Sequence, residues 1–104
     1  MTRMLVTTML AAGLLSSCND PSVAFQPVYR SGDRLVASAA PMDPQMHGNV
    51  IHVLRYYQVN FREEANGAIL IPRSLANDLD TLWNYTTKAQ DEEWLREHPV
   101  GGVP

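Results

Sequence analysis

One cysteine, Cys18, is all the sequence holds. A single thiol excludes an intramolecular disulfide and any zinc site built on paired cysteines. No apolar run reaches the roughly 20 residues that a membrane-spanning helix takes. The leader stretch Met4–Leu15 is twelve residues long and is interrupted only by two threonines. Cations are scarce, with 8 Lys and Arg against 11 Asp and Glu. Without a basic stripe, nucleic acid binding is not expected. No serine sits in a Gly-x-Ser-x-Gly elbow, and no Gly-rich phosphate loop precedes a helix.

Candidate ligands and acid–base pairs are equally thin. His47 and His52 are five positions apart, whereas a helical ligand pair takes a spacing of about four. Asp78 and Asp80 point apart on a helix, and Glu63 and Glu64 point to opposite faces of a strand. Asp91-Glu92-Glu93 reads as a first helical turn favoured by the helix dipole. The expectation is a protein that is not an enzyme and holds no metal or cofactor.

What is present begins at the N-terminus. Arg3 is a small positive region ahead of the apolar run, and Leu15-Ser16-Ser17-Cys18 closes it. The run has signal-peptide length. Leu15-Ser16-Ser17-Cys18 resembles the lipobox of bacterial lipoproteins. That resemblance implies diacylglycerol on the Cys18 thiol, cleavage just before it, and acylation of the new amine. Each buried methylene contributes roughly 0.8 kcal/mol, so two or three acyl chains hold such a protein firmly on a membrane. Asp20 stands one place later than the aspartate that commonly retains Gram-negative lipoproteins at the inner membrane. The periplasmic face of the outer membrane is therefore favoured.

Removing residues 1–17 from the 104 leaves 87, room for one small domain. That mature part carries seven Arg and Lys and eleven Asp and Glu, a formal charge of −4 with His neutral. Residues 18–42 read as the lipidated cysteine and a flexible stalk, because Pro21, Pro27 and Pro41 interrupt them. The competing reading pairs residues 23–29 with Arg34-Leu35-Val36 as a hairpin around Ser31-Gly32-Asp33.

The folded domain is expected over residues 43–98, with a flexible tail at 99–104. Asp43 is a good N-cap and Pro44 suits the first helical position. Met46, Val50, Val53, Leu54 and Tyr57 share one helical face. Gly48 lies inside that helix and would allow a later start near Asn49. Val59–Glu64 and Ala68–Ile71 flank Asn66-Gly67, which predicts a hairpin with a two-residue turn. In that register Glu63 faces Leu70 and Phe61 faces Pro72, which puts Ile69 and Ile71 on the other face beside Arg62 and Glu64. The second strand is apolar on both sides, as a more buried strand is. It calls for a further strand, from residues 23–36 or from a partner. Ser74 can cap the last helix, and Thr87-Lys88-Ala89-Gln90 matches a capping box that would split it.

The fold class expected is thus α+β: helix, Asn-Gly hairpin, then a helix possible to divide in two. This α-β-β-α order resembles, in topology alone, the ring-building modules of secretion-system and flagellar lipoproteins. The expected role is a lipid-anchored, non-catalytic interaction or assembly module of the cell envelope, docking an envelope protein. Its candidate contacts are Tyr56 and Trp94 as aromatic anchors, Arg62 beside the hairpin, and Ile69 and Ile71 on an open edge. The alternative is a periplasmic inhibitor of, or small enzyme acting on, cell-wall or surface glycans.

Overall fold

The structure, a computed structural model, describes residues 21–100. The expected signal peptide, Cys18 and residues 101–104 of the expected tail lie outside the described residues. The domain is α+β. In chain order the elements are β1 (Ser22–Ala24), β2 (Val28–Ser31), β3 (Arg34–Ala37), α1 (Pro44–Tyr56), β4 (Arg62–Glu63), β5 (Ile69–Pro72), α2 (Arg73–Ala76), α3 (Leu79–Ala89) and α4 (Glu92–Glu97). β1, β5 and β4 form an antiparallel sheet with β5 in the centre, and β2 and β3 form a separate hairpin.

The stretch expected as a stalk is therefore part of the fold. β1 pairs with β5, Val23 opposite Ile71, and supplies the further strand that β5 called for. Phe25 and Val28 are buried in the core beside Val50, Leu54, Ile69 and Ile71. Pro21 and Pro27 do not prevent this. Each sits at a strand boundary and offers its carbonyl, to the Arg73 and Ser38 amides respectively. A proline needs no ladder partner for its nitrogen in such positions. The turn Gly32-Asp33 joins β2 to β3, with Gly32 at φ +68°. The hairpin lies on α3, where the Thr86 hydroxyl accepts the Val28 amide at 3.0 Å and donates to the Leu82 carbonyl at 2.8 Å.

α1 starts at Pro44, and the Asp43 carboxylate accepts the Met46 amide at 2.7 Å. Gly48 is tolerated inside the helix, so the later start near Asn49 does not occur. Val50, Ile51, Val53 and Leu54 form its buried side. The helix ends without a glycine. Val59 donates to the Leu54 carbonyl and Gln58 to that of Arg55, with Gln58 at φ +58°. These two bonds are a Schellman motif, with glutamine at the left-handed position that glycine usually fills.

The β4–β5 register is one residue away from the expected one. Arg62 faces Leu70 and Glu63 faces Ile69. A type I′ turn requires positive φ at both Asn66 and Gly67, but only Gly67 has it, at +91°. Instead Gly67 donates to the Glu64 carbonyl and Glu64 to that of Ala68, leaving three residues in the loop. A one-residue slip reverses every face. Ile69 and Ile71 consequently point into the core, 1% and 0% exposed. At the C-terminal side, Pro72 leads directly into α2 as its N-cap, and Ser74 lies within that helix rather than ahead of it. Asp78 caps α3, which runs unbroken through Thr87, and Asp91 caps α4. The break between the last two helices is thus at Gln90, not at the Thr87 capping box.

Candidate functional site

Three helices bring the aromatic side chains together. The C-terminal end of α1 carries Tyr56 and is followed by Tyr57, α3 carries Tyr85 and Lys88, and α4 carries Trp94 with His98 just beyond it. Tyr57 stacks on Tyr85 with ring centroids 4.9 Å apart, and Trp94 stacks on His98 at 4.4 Å. Tyr56 meets Trp94 edge-on at 5.2 Å and His98 edge-on at 5.2 Å. Lys88 Nζ lies 5.7 Å from the Trp94 ring centroid, within cation–π range. Tyr56 and Tyr57 remain 41% and 39% exposed, while Trp94 is half-buried.

The histidines in this cluster have assigned protons. A carbonyl oxygen only accepts, so His98 Nδ1 donates to the Trp94 carbonyl and His52 Nε2 donates to the His98 carbonyl, both at 2.8 Å. These bonds lock the end of α4 onto α1. The Tyr85 hydroxyl titrates above the ordinary tyrosine range, first through desolvation, then through Tyr57 and Asp78. The surface therefore presents fixed π faces, phenol groups and one ammonium. It suits apolar and aromatic contact edged by hydrogen bonding.

Of the expected contact residues, the structure brings Tyr56 and Trp94 together. Arg62 is exposed on β4, away from them in the sheet, and pairs with Glu64 at 3.1 Å. Ile69 and Ile71 are core residues and cannot meet a partner. Tyr57, Tyr85 and His98 complete the cluster and escaped the sequence reading as contacts. The spacing predicts Tyr57 on the buried face of α1; it is instead the C-cap, past the last helical residue, and is exposed.

Two clefts flank residues 38–42. The larger, about 470 Å³, is bordered by Phe25, Pro27, Met42, His47, Asn66 and Ile69 among others. The smaller, about 380 Å³, includes Tyr29, Asp43, Asn49 and Glu92. His47 is the larger cleft's titratable side chain. Its Nε2 is enclosed, makes no hydrogen bond, and lies 3.6 Å from Glu63 Oε2. Asp43 in the smaller cleft is engaged in capping α1. Among the described residues, no three His, Cys, Asp or Glu side chains are placed to hold a metal ion.

Comparison with protein-family models, curated proteins and solved structures found no match to the chain.

Proposed function

We propose that this protein is a lipid-anchored lipoprotein of the bacterial cell envelope that docks a protein partner through the Tyr56–Trp94 aromatic surface. The observation that carries the reading is the lipobox-like Leu15-Ser16-Ser17-Cys18, set three residues ahead of the point where the fold begins. The acyl chains on Cys18 hold the domain at a membrane, with the outer membrane favoured. The partner contact is assigned to aromatic groups because Tyr56 and Tyr57 are exposed beside a half-buried Trp94, and the rings are close-packed and pre-ordered by the His52 and His98 bonds.

Catalysis on a glycan is the weaker reading. A general acid–base site needs convergent titratable groups facing a substrate, and the larger cleft offers only His47, whose Nε2 is turned to Glu63. An inhibitor role would use the same aromatic surface on an enzyme target.

In-cell crosslinking of the membrane-bound chain tests the reading. One discrete envelope protein should co-purify, be diminished with Cys18→Ala, and be lost with Trp94→Ala while the variant stays in the membrane fraction. Undiminished capture by Trp94→Ala would remove the aromatic surface from the proposal. A Cys18→Ala chain that still partitions fully with membranes would remove the anchor.

A further inference from the structure

We infer that the domain rests directly on the bilayer, with the Pro21/Pro72/Arg73 end of its three-stranded sheet against the lipid headgroups and the Ala65-Asn66-Gly67 turn facing away. This rests on the lipidation of Cys18 proposed above. It adds which end of the molecule meets the membrane and how closely.

The length of the tether decides the distance. Only Asn19, Asp20 and Pro21 separate Cys18 from Ser22, the first residue of β1. Four backbone steps span at most about 14 Å when fully extended. The headgroup layer of one leaflet takes about 5–7 Å of that. What remains is less than the roughly 10 Å diameter of one helix. A stalk over residues 18–42 could have stretched to about 85 Å, and the fold has absorbed most of it.

The tether's end is fixed on the domain. The Pro21 carbonyl accepts the Arg73 amide at 2.9 Å, Ser22 faces Pro72, and Phe25 is buried three residues on. Pro21 therefore cannot swing free without dismantling β1.

The surface at that end suits a headgroup layer. The directly paired residues Ser22 and Pro72, Ala24 and Leu70, and Arg62 and Leu70 share the outer side of the sheet, opposite Ile69 and Ile71. Leu70 and Pro72 are half-buried, and Ser22, Arg62 and Arg73 are exposed. A hollow of about 340 Å³ lies between Ser22, Phe61, Leu70 and Pro72. Small apolar area with Arg62 at its rim, shared with Glu64, and the exposed Arg73 next to Pro72 in the chain fits the phosphate and glycerol region. The net negative charge of the domain supplies no long-range attraction, so the contact depends on the high effective concentration that a short tether imposes. β5 runs from the turn to Pro72, so Ala65 and Arg73 lie at opposite ends of the sheet, about 15–20 Å apart along it.

Site-specific quenching on the lipidated full chain tests this. Lipidation blocks the Cys18 thiol, so an introduced cysteine can be labelled alone. Arg73→Cys and Ala65→Cys variants would carry a fluorophore in vesicles of phosphatidylethanolamine and phosphatidylglycerol doped with a headgroup-spin-labelled lipid. The label at 73 should be quenched severalfold more than the label at 65. Inserting a Gly/Ser segment of about twenty residues between Asp20 and Pro21 should erase most of that difference. Equal quenching in the uninserted chain, or stronger quenching at 65, overturns the orientation while the lipoprotein reading stands. An intact-mass spectrum without acyl groups on Cys18 overturns both.

Discussion

Gln58 is where a residue-scale conflict is clearest. The Schellman end of α1 needs a left-handed residue, and an L side chain there costs about 1–2 kcal/mol relative to glycine. Gln58→Gly should raise the unfolding free energy by about 1 kcal/mol, read as a higher urea midpoint at unchanged slope. Asp78 shows a residue setting pH dependence. Its carboxylate accepts the hydroxyl of Thr81 at 2.8 Å and the amide of Thr81 at 3.1 Å, which holds its pKa below the ordinary aspartate range. A depressed folded pKa contributes stability above the unfolded value, and that contribution is lost as pH falls through the folded value. Asp78→Asn keeps an N-cap but removes the titration. The variant's melting temperature should fall less than the parent's between about pH 4 and the lower folded value. Identical acid slopes for the two chains would remove Asp78 from the acid response.

At the scale of elements, β1 and the β2–β3 hairpin separate a tethered domain from an integral one. Phe25 is 5% exposed and sits in the same core as Ile71 and Leu54. Phe25→Ala should therefore destabilise by about 3–5 kcal/mol, seen in the urea midpoint, whereas a stalk residue would leave it unmoved within roughly 0.5 kcal/mol. The Asp43-Pro44 start of α1 and the glycine turns were open to local reasoning, since a cap or a turn lies within four residues; the caps at Asp78 and Asp91 compete locally with Ser74 and Thr87, and the fold chose between them. Register was not. Asn66-Gly67 signals a hairpin, but a two-residue and a three-residue loop use the same pair. Choosing between them depends on burying Ile69 and Ile71 in the common core, which the hairpin alone does not encode.

At the scale of the whole molecule, an 80-residue domain has only about 4–12 kcal/mol of net stability. It cannot spare a strand and two core side chains. A chain starting at residue 43 lacks β1, Phe25 and Val28, and should show no cooperative unfolding transition. A chain starting at residue 21 should unfold in one transition with the midpoint of the Cys18→Ala full chain. Calorimetry on the two truncations reads this directly. The aromatic cluster also belongs to this scale, since it draws on the end of α1, on α3 and on α4 at once. Tyr56 and Trp94 were visible as candidates because large aromatics in a small chain are few. Tyr57, Tyr85 and His98 join the surface only because three helices meet there, with the His52–His98 bond holding the end of α4 on α1.

By itself the sequence determined the local features: a lipobox-like stretch, the capped start of α1, an apolar strand at Ala68–Ile71 that needed a neighbour on each side, and mixed α+β composition. Each depends on residues close together in the chain, where propensity, capping and turn chemistry act. Tertiary structure decided what residues 22–37 do. Ser22–Ala37 is a weak, proline-interrupted stretch with no preference strong enough to settle its fate alone. It becomes β1 to β3 because β5 has an unpaired edge and α3 offers the Thr86 hydroxyl, partners found 46 to 58 positions away along the chain. Burial of Phe25 and Val28 against those distant elements turns a tether into a wall of the domain.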